Sequence, residues 1–258
     1  MNWRFWGRPR CIARIEINGI INGATRKRVL SALKIVKTKK FPALLLRIDS
    51  PGGTVGDSQE IYSALCALQS QTQIVASFGN ISASGGVYIG MGAPHIVANP
   101  GTVTGSIGVI LRGNNLEELL KKIGVSFKVV KSGPYKDILA FDRELTPAEQ
   151  GILQQLIDVS YQQFVNTVAQ ARHLPVERVR EFADGRIFTG EQAQALGVVN
   201  RLGTEEDARR WAAELAGLDP EHTPVRTVSG KPRSLLARVQ GTSLPWEYAG
   251  IPLWLYSP

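Results

Sequence analysis

The chain alternates short, continuously apolar runs with longer stretches whose apolar positions recur at helical spacing. Cys11 to Ile17 reads as a first strand. Residues 24–40 follow with Val29, Leu33 and Val36 on one helical face, and Ala43 to Ile48 is apolar enough for a strand covered on both sides. The turn Asp49-Ser50-Pro51-Gly52-Gly53 leads into a helix from about Val55 to Leu68, then a strand from Gln73 to Phe78 and a helix from about Ser84 to Met91. Short strands are expected at His95 to Ala98 and Ser106 to Ile110, a helix at Leu116 to Ile123 and a strand at Ser126 to Val130. Thr146-Pro147-Ala148-Glu149 supplies a threonine cap with proline in the first turn, opening a long helix to about Ala171, after which the elements are mainly helical.

Repeated strand-helix units predict an α/β fold, a mostly parallel sheet surrounded by helices, with its functional loops at the carboxyl ends of strands. Both glycine-rich turns, Pro51-Gly52-Gly53 and Ser84-Gly85-Gly86, fall at such ends. Beyond Gly217 the periodicity fades and Pro, Ser, Arg and Thr become frequent. The expected organisation is a short basic and aromatic segment over residues 1–10, a main domain over 11–216, and a loosely ordered extension over 217–258. That extension ends in an aromatic tail containing Trp246, Tyr248, Trp254 and Tyr256. Three readings of the tail stand: an interfacial anchor, a segment packing on its own domain or a neighbour, or an extended strand entering a substrate groove.

A length of 258 residues with 43% hydrophobic and 20% charged composition describes a folded chain able to bury a sizeable core as one large domain or two small ones. Cys11 and Cys66 form no disulfide framework or metal cluster and read as buried thiols of a reducing compartment, which favours the cytoplasm. The amino terminus lacks the apolar run of a signal peptide, and no segment approaches the about 20 apolar residues of a membrane span. The net charge of +8 is concentrated in residues 24–40, where Arg26, Lys27, Arg28, Lys34, Lys37, Lys39 and Lys40 occur without an acid. This basic amphipathic helix presents either a solvated face or one resting on anionic lipid. No aromatic-interleaved RNA motif or helix-turn-helix accompanies it, so nucleic acid is the poorest explanation. No G-x-x-x-x-G-K-S/T loop occurs, and neither nucleotide, metal nor other cofactor is implied.

The three histidines, His95, His173 and His222, lie in no catalytic context, so a serine hydrolase here needs another proton acceptor. Ser84 as nucleophile and Lys136 as base form such a pair, provided the amine is kept neutral. A lysine must fall from about 10.4 to roughly 7 to 8 to do this, at a cost of about 4 kcal/mol, and burial must supply the shift. Ser106 is a candidate acceptor to orient the amine. The amide of Gly85, directly after Ser84, and that of Gly53, or of Gly52 in its place, are candidate oxyanion donors, because glycine leaves the approach open. Spacing permits these residues to meet but does not bring them together. Ser31-Ala32-Leu33-Lys34 also fits an S-x-x-K pattern, but the Ser-x-Asn element of penicillin-interacting enzymes is missing and both residues belong to the basic helix.

Four blocks in order are similar to signal peptide peptidases of the SppA type: Asp49 to Gly53, Ser82 to Tyr88, Ala98-Asn99-Pro100 with Thr104 to Val109, and Lys131 to Asp137. The similarity continues through Ala183 to Gly190 and Ala193 to Gly197, covering roughly residues 11–215. The resemblance implies a Clp protease/crotonase-like fold and a Ser-Lys dyad peptidase acting on leftover signal peptides and other membrane-associated polypeptides. By the same resemblance Ser84 is nucleophile, Lys136 general base, Gly53 and Gly85 the oxyanion hole and Ser106 the lysine-orienting group. It implies the short, single-repeat form, expected to assemble as a homo-oligomeric ring in which the lysine reaches a serine within its own subunit or in a neighbour. Family members usually carry an amino-terminal membrane anchor; here only Trp3-Arg4-Phe5-Trp6 precedes the fold, so membrane access is expected to be peripheral or absent. Two readings compete: a crotonase-type acyl-CoA enzyme on the same fold, and a non-catalytic membrane scaffold resting on the basic helix and aromatic ends.

Overall fold

The structure is a computed structural model and describes residues 10–230 and 252–255. In chain order it contains β1 (Ile12–Asn18), α1 (Gly23–Lys39), β2 (Ala43–Ser50), β3 (Gly52–Thr54), α2 (Val55–Cys66), β4 (Gln73–Ala83), α3 (Gly85–Gly90), β5 (His95–Ala98) and β6 (Val103–Gly105). There follow α4 (Glu117–Lys122), α5 (Pro147–Arg172), α6 (Val176–Arg180), β7 (Ile187–Phe188), α7 (Gly190–Ala195), β8 (Arg201–Leu202), α8 (Glu205–Leu215), β9 (Val225–Thr227) and β10 (Leu253–Leu255).

The main sheet runs β7-β6-β4-β2-β1-β9, with β5 and then β8 attached beside β4. All its pairings are parallel except β6 with β7. β2 is central, and its continuous run Ala43 to Leu46 is buried on both faces, as a parallel strand covered by helices requires. β4 is long enough to serve two partners: Val75 to Phe78 pair with β5, and Ile81 to Ala83 with β6. Asp49 holds the change of partner, its carboxylate accepting from the amides of Asn80 (3.3 Å) and Ile81 (3.1 Å).

The helices follow from local signals. Asn22 caps α1 by accepting from the amides of Ala24 and Thr25, and Val29, Ala32, Leu33 and Val36 form its buried face. Lys27, Lys34, Lys37, Lys39 and Lys40 remain exposed. Thr146 and Glu149 form a reciprocal capping box that starts α5, with Pro147 in its first turn.

Several expectations are corrected. Residues 126–130 form no strand: Phe127, Val129 and Val130 are exposed, and among the described residues no neighbouring strand supplies the hydrogen bonds a strand needs. The strand expected from Ser106 to Ile110 lies earlier, at Val103–Gly105, because Gly105 (φ 87°) and Ser106 (φ 51°) turn the chain out of extended conformation. Gly52–Thr54, expected as a turn, is a short strand. Within the stretch expected to be loosely ordered, Val225–Thr227 pairs with β1 and Leu253–Leu255 with β3. The amino-terminal residues 1–9, with Trp246, Tyr248 and Tyr256 of the tail, lie outside the described residues.

Candidate active site

Ser84 stands where β4 hands over to α3. Its backbone (φ 53°, ψ −115°) lies in the region that favours glycine, so the serine is held there by its surroundings. The Ser84 amide donates to the Gly105 carbonyl (2.8 Å), and its own carbonyl accepts from the Tyr88 amide (2.9 Å). The residue is 1% exposed.

β3 runs past this turn. One edge of it is taken by Ile21, whose amide donates to the Gly52 carbonyl (2.8 Å) and whose carbonyl accepts from the Thr54 amide (3.0 Å). Alternation along a strand therefore aims the N–H and C=O of Gly53 at the opposite edge, toward Ser84 and Gly85. A methyl group on Gly85 would come within 3.2 Å of the Gly53 nitrogen and 2.8 Å of Ser58 Oγ. Gly85 leaves the space beside the Gly53 amide open, whereas a methyl group on Gly53 would strike the Ile21 carbonyl oxygen (1.8 Å), so that glycine lets β3 lie against Ile21. Ser106, 9% exposed, directly follows the Gly105 that binds the Ser84 amide, and its own amide donates to the Arg186 carbonyl (2.7 Å).

Thus Ser84, Gly85 and Gly53 lie against one another, with Ser106 next in the chain to the Gly105 that binds the Ser84 amide, while Lys136 makes no contact that joins it to them. Lys136 is exposed on the segment joining Ile110 to α5, and no hydrogen bond joins it to Ser84. Its neighbour Asp137 is well anchored, accepting from Lys131 Nζ (2.6 Å) and Arg143 Nη2 (2.9 Å), while Arg143 Nη1 donates to Glu149 (2.8 Å). Arg143, with Lys131, holds the Asp137 carboxyl well below the usual range. Arg143 and the Thr146 amide hold Glu149 down to about 2. The loop bearing Lys136 is in this way tied to the first turn of α5. The histidines serve elsewhere: His95 packs on Trp211 and is pushed down by burial, His173 ends α5, and His222 pairs with Asp219.

The open edge of β3 is occupied. β10 lies antiparallel on it, pairing Leu253 with Thr54, Trp254 with Gly53 and Leu255 with Gly52. On its other side Leu253 exchanges two hydrogen bonds with Ile110 (2.9 and 3.1 Å). The Trp254 side chain is fully buried, stacked on Tyr88 (centroids 3.9 Å, 29°) and inclined to Phe164 (4.9 Å, 50°). Tyr88 keeps its phenol protonated, since burial pushes it up more than its hydrogen bonds with Thr167 and Gln163 pull it down. Of the tail, Pro252 to Leu255 pack on the chain's own domain, as an extended strand along β3. Sequence reasoning did not single out Phe164 or Ile110; neither carries a local signal, since both are ordinary apolar positions brought here by the fold. Tyr88 had one, standing one helical turn beyond Ser84. Among the described residues no group of His, Cys, Asp and Glu is placed to hold a metal ion.

Residues 66–219 match the model of peptidase family S49, a stretch that contains Ser84, Gly85, Ser106 and Lys136. The chain belongs to peptidase family S49. The Synechocystis sp. protein slr0021 is 64% identical over 265 residues, covering 95% of each chain. Protease 4 of Salmonella typhi is 40% identical over 184 residues, covering 71% of this chain and 30% of that protein, so this S49 chain spans under a third of that relative. Among solved structures, the 1510-N membrane-bound stomatin-specific protease in complex with a substrate peptide superposes with a TM-score of 0.58 at 18% identity, covering 89% of this chain and 95% of that one. A ClpP1 variant from Listeria monocytogenes gives 0.54 at 17% identity, covering 76% and 93%. These likenesses place the fold among the Clp-like proteases, as the sequence resemblance implied.

Proposed function

We propose that this S49 serine peptidase cleaves extended, apolar polypeptides through an acyl-enzyme on Ser84, with Lys136 of an adjacent protomer as general base. The observation that carries the reading is the conjunction at the turn of β4: a serine in a strained, fixed backbone beside two glycine amides facing one space, at the edge of a strand that pairs with extended chain. In this mechanism the substrate adds as a strand to β3 and its scissile carbonyl oxygen meets the amides of Gly53 and Gly85. Ser84 Oγ attacks the carbonyl carbon while the Lys136 amine takes the hydroxyl proton. The amine then gives that proton to the leaving nitrogen as the C–N bond breaks, and water activated by Lys136 releases the acyl group. Ser106 holds the amine in line.

Supply of the base by a neighbour is favoured by the exposure of Lys136 and by the exposed apolar side chains on the same connecting segment, Leu119, Ile123, Phe127, Val129 and Val130, which a ring neighbour would cover. Signal peptides and other membrane-associated segments suit an apolar groove, and the exposed lysines of α1 suit peripheral contact with anionic lipid. Among the described residues no helix is long and apolar enough to cross a membrane.

A fluorogenic apolar peptide, assayed with wild type, Ser84→Ala and Lys136→Ala, tests the reading. Each substitution is expected to lower kcat at least about 1,000-fold. Peptidase activity surviving both would overturn the mechanism and return the scaffold reading; acyl-CoA binding in its place would favour the crotonase reading.

A further inference from the structure

Trp254 enters this site in a way that identifies a part of it. The Val55 amide donates to the Pro252 carbonyl (3.4 Å), which marks residues 55 and 252 as a hydrogen-bonded pair. In an antiparallel ladder such pairs alternate, so Gly53 and Trp254 form the next one, and the Gly53 N–H faces the Trp254 carbonyl oxygen. The glycine packing agrees: a methyl group on Gly52 would lie 1.9 Å from that oxygen and 2.8 Å from the Gly85 nitrogen, and one on Gly85 would lie 3.1 Å from the same oxygen. The Trp254 carbonyl therefore sits where the two candidate oxyanion donors converge. Its side chain, on the acyl side of the Trp254–Leu255 bond, fills the aromatic pocket.

We propose that the pocket floored by Tyr88 and walled by Phe164 is the primary specificity pocket, that it selects a large aromatic side chain immediately before the scissile bond, and that Trp254 of the chain's own tail is its resident competitor. This rests on the serine-peptidase reading and adds the substrate preference and its regulator. The pocket is built from the catalytic turn outward. Tyr88 lies on the first turn after Ser84, and its hydroxyl is bound by Gln163 (3.0 Å) and Thr167 (3.3 Å) of α5 and by Gln59 of α2, so its ring is fixed as a flat apolar surface. Phe164 crosses it edge-on (5.2 Å, 76°). A ring inserted between them stacks on one and meets the face or edge of the other, which a small side chain cannot do. The occupant is not tailored to the pocket: the Trp254 indole N–H is buried with no hydrogen-bond partner among the described residues, so the fit is to an aromatic body and not to tryptophan as such. Leu253, held between β3 and Ile110, occupies the preceding position as a substrate strand would.

The test compares two fluorogenic peptides, Pro-Leu-Phe and Pro-Leu-Ala before the reporter, on the full chain. Trp254→Ala is expected to raise kcat/KM for the phenylalanine peptide about tenfold, through KM, by vacating the pocket. Phe164→Ala is expected to lower the Phe-to-Ala ratio of kcat/KM at least about tenfold, and Phe164→Leu, which keeps the core filled, to lower it in the same direction. A second arm needs no catalysis: in Ser84→Ala protein, calorimetric affinity for acetyl-Pro-Leu-Phe should rise about tenfold when Trp254→Ala is added. Ser84-dependent cleavage with an unmoved Phe-to-Ala ratio and an unmoved KM would overturn the pocket assignment alone. No cleavage of any peptide, with tightened binding in the second arm, would keep the pocket and overturn the peptidase reading.

Discussion

At Gly85 the site depends on a missing side chain. Because a methyl group there approaches Ser58 Oγ to 2.8 Å and the Gly53 nitrogen to 3.2 Å, Gly85→Ala should crowd the space reserved for the oxyanion without needing an unusual backbone angle. The expected outcome is a kcat loss of about 100-fold or more. Adding Ser58→Ala removes the first contact and should recover melting temperature but not kcat, separating packing from catalysis. The lone indole N–H of Trp254 gives a second prediction at this scale. A pocket with no acceptor for it should prefer phenylalanine over tryptophan peptides by about fivefold or more, because the tryptophan donor loses its water partner without replacement. Peptides ranked tryptophan over phenylalanine would contradict it. Ser84 itself was legible because a serine preceding two glycines marks a tight turn at a strand end, whereas its positive φ and its burial emerge only in the fold, where Gly105 binds its amide.

The element that carries Lys136 is held by charge where the rest of the fold is held by burial. Arg143 joins Asp137 of the loop to Glu149 of the α5 capping box, and both carboxyls sit below their ordinary range. A carboxyl with a depressed folded pKa contributes fully above its unfolded value and loses that contribution as pH falls through the folded one. For Glu149 this window runs from about 4.5 down to about 2. The protection of amides 131–143 against hydrogen exchange, taken relative to the intrinsic rate at each pH, should therefore fall between pH 5 and 2.5 in wild type. In Arg143→Met exchange should already be fast at pH 5, with kcat/KM reduced about tenfold as Lys136 loses its placement. A loop equally protected in both proteins would show that the ion pairs hold nothing. The same scale shows where reading the sequence succeeds and fails. α1, β2 and α5 were legible because cap, periodicity and burial agree within each segment. The strand expected at 126–130 has the right alternation but no partner strand among the described residues, and β10 was hidden because its partner is a glycine turn some 200 residues earlier in the chain.

Over the whole molecule, most of the exposed large apolar side chains among the described residues lie on the segment that carries Lys136 and on α5, where Ile152, Leu156 and Val159 are exposed at helical spacing. Ser84, by contrast, is buried at the end of the parallel sheet. In the proposed mechanism, with Ser84 the nucleophile in one subunit's core and Lys136 the base on an exposed segment, a closed ring lets each such segment complete the next subunit's site. This arrangement makes an arithmetic prediction. Co-expressed Ser84→Ala and Lys136→Ala chains, each inactive alone, should form mixed rings in which about a quarter of the sites combine an intact serine with a neighbour's intact lysine, restoring about a quarter of wild-type activity. If each subunit used its own lysine, no mixed ring would contain an intact pair and activity would stay at the background of the single variants. Val159→Glu, which places a charge in the exposed stripe, should lower particle mass toward the monomer. It should also remove peptidase activity in the same concentration range, because a protomer without its neighbour has a nucleophile and no base.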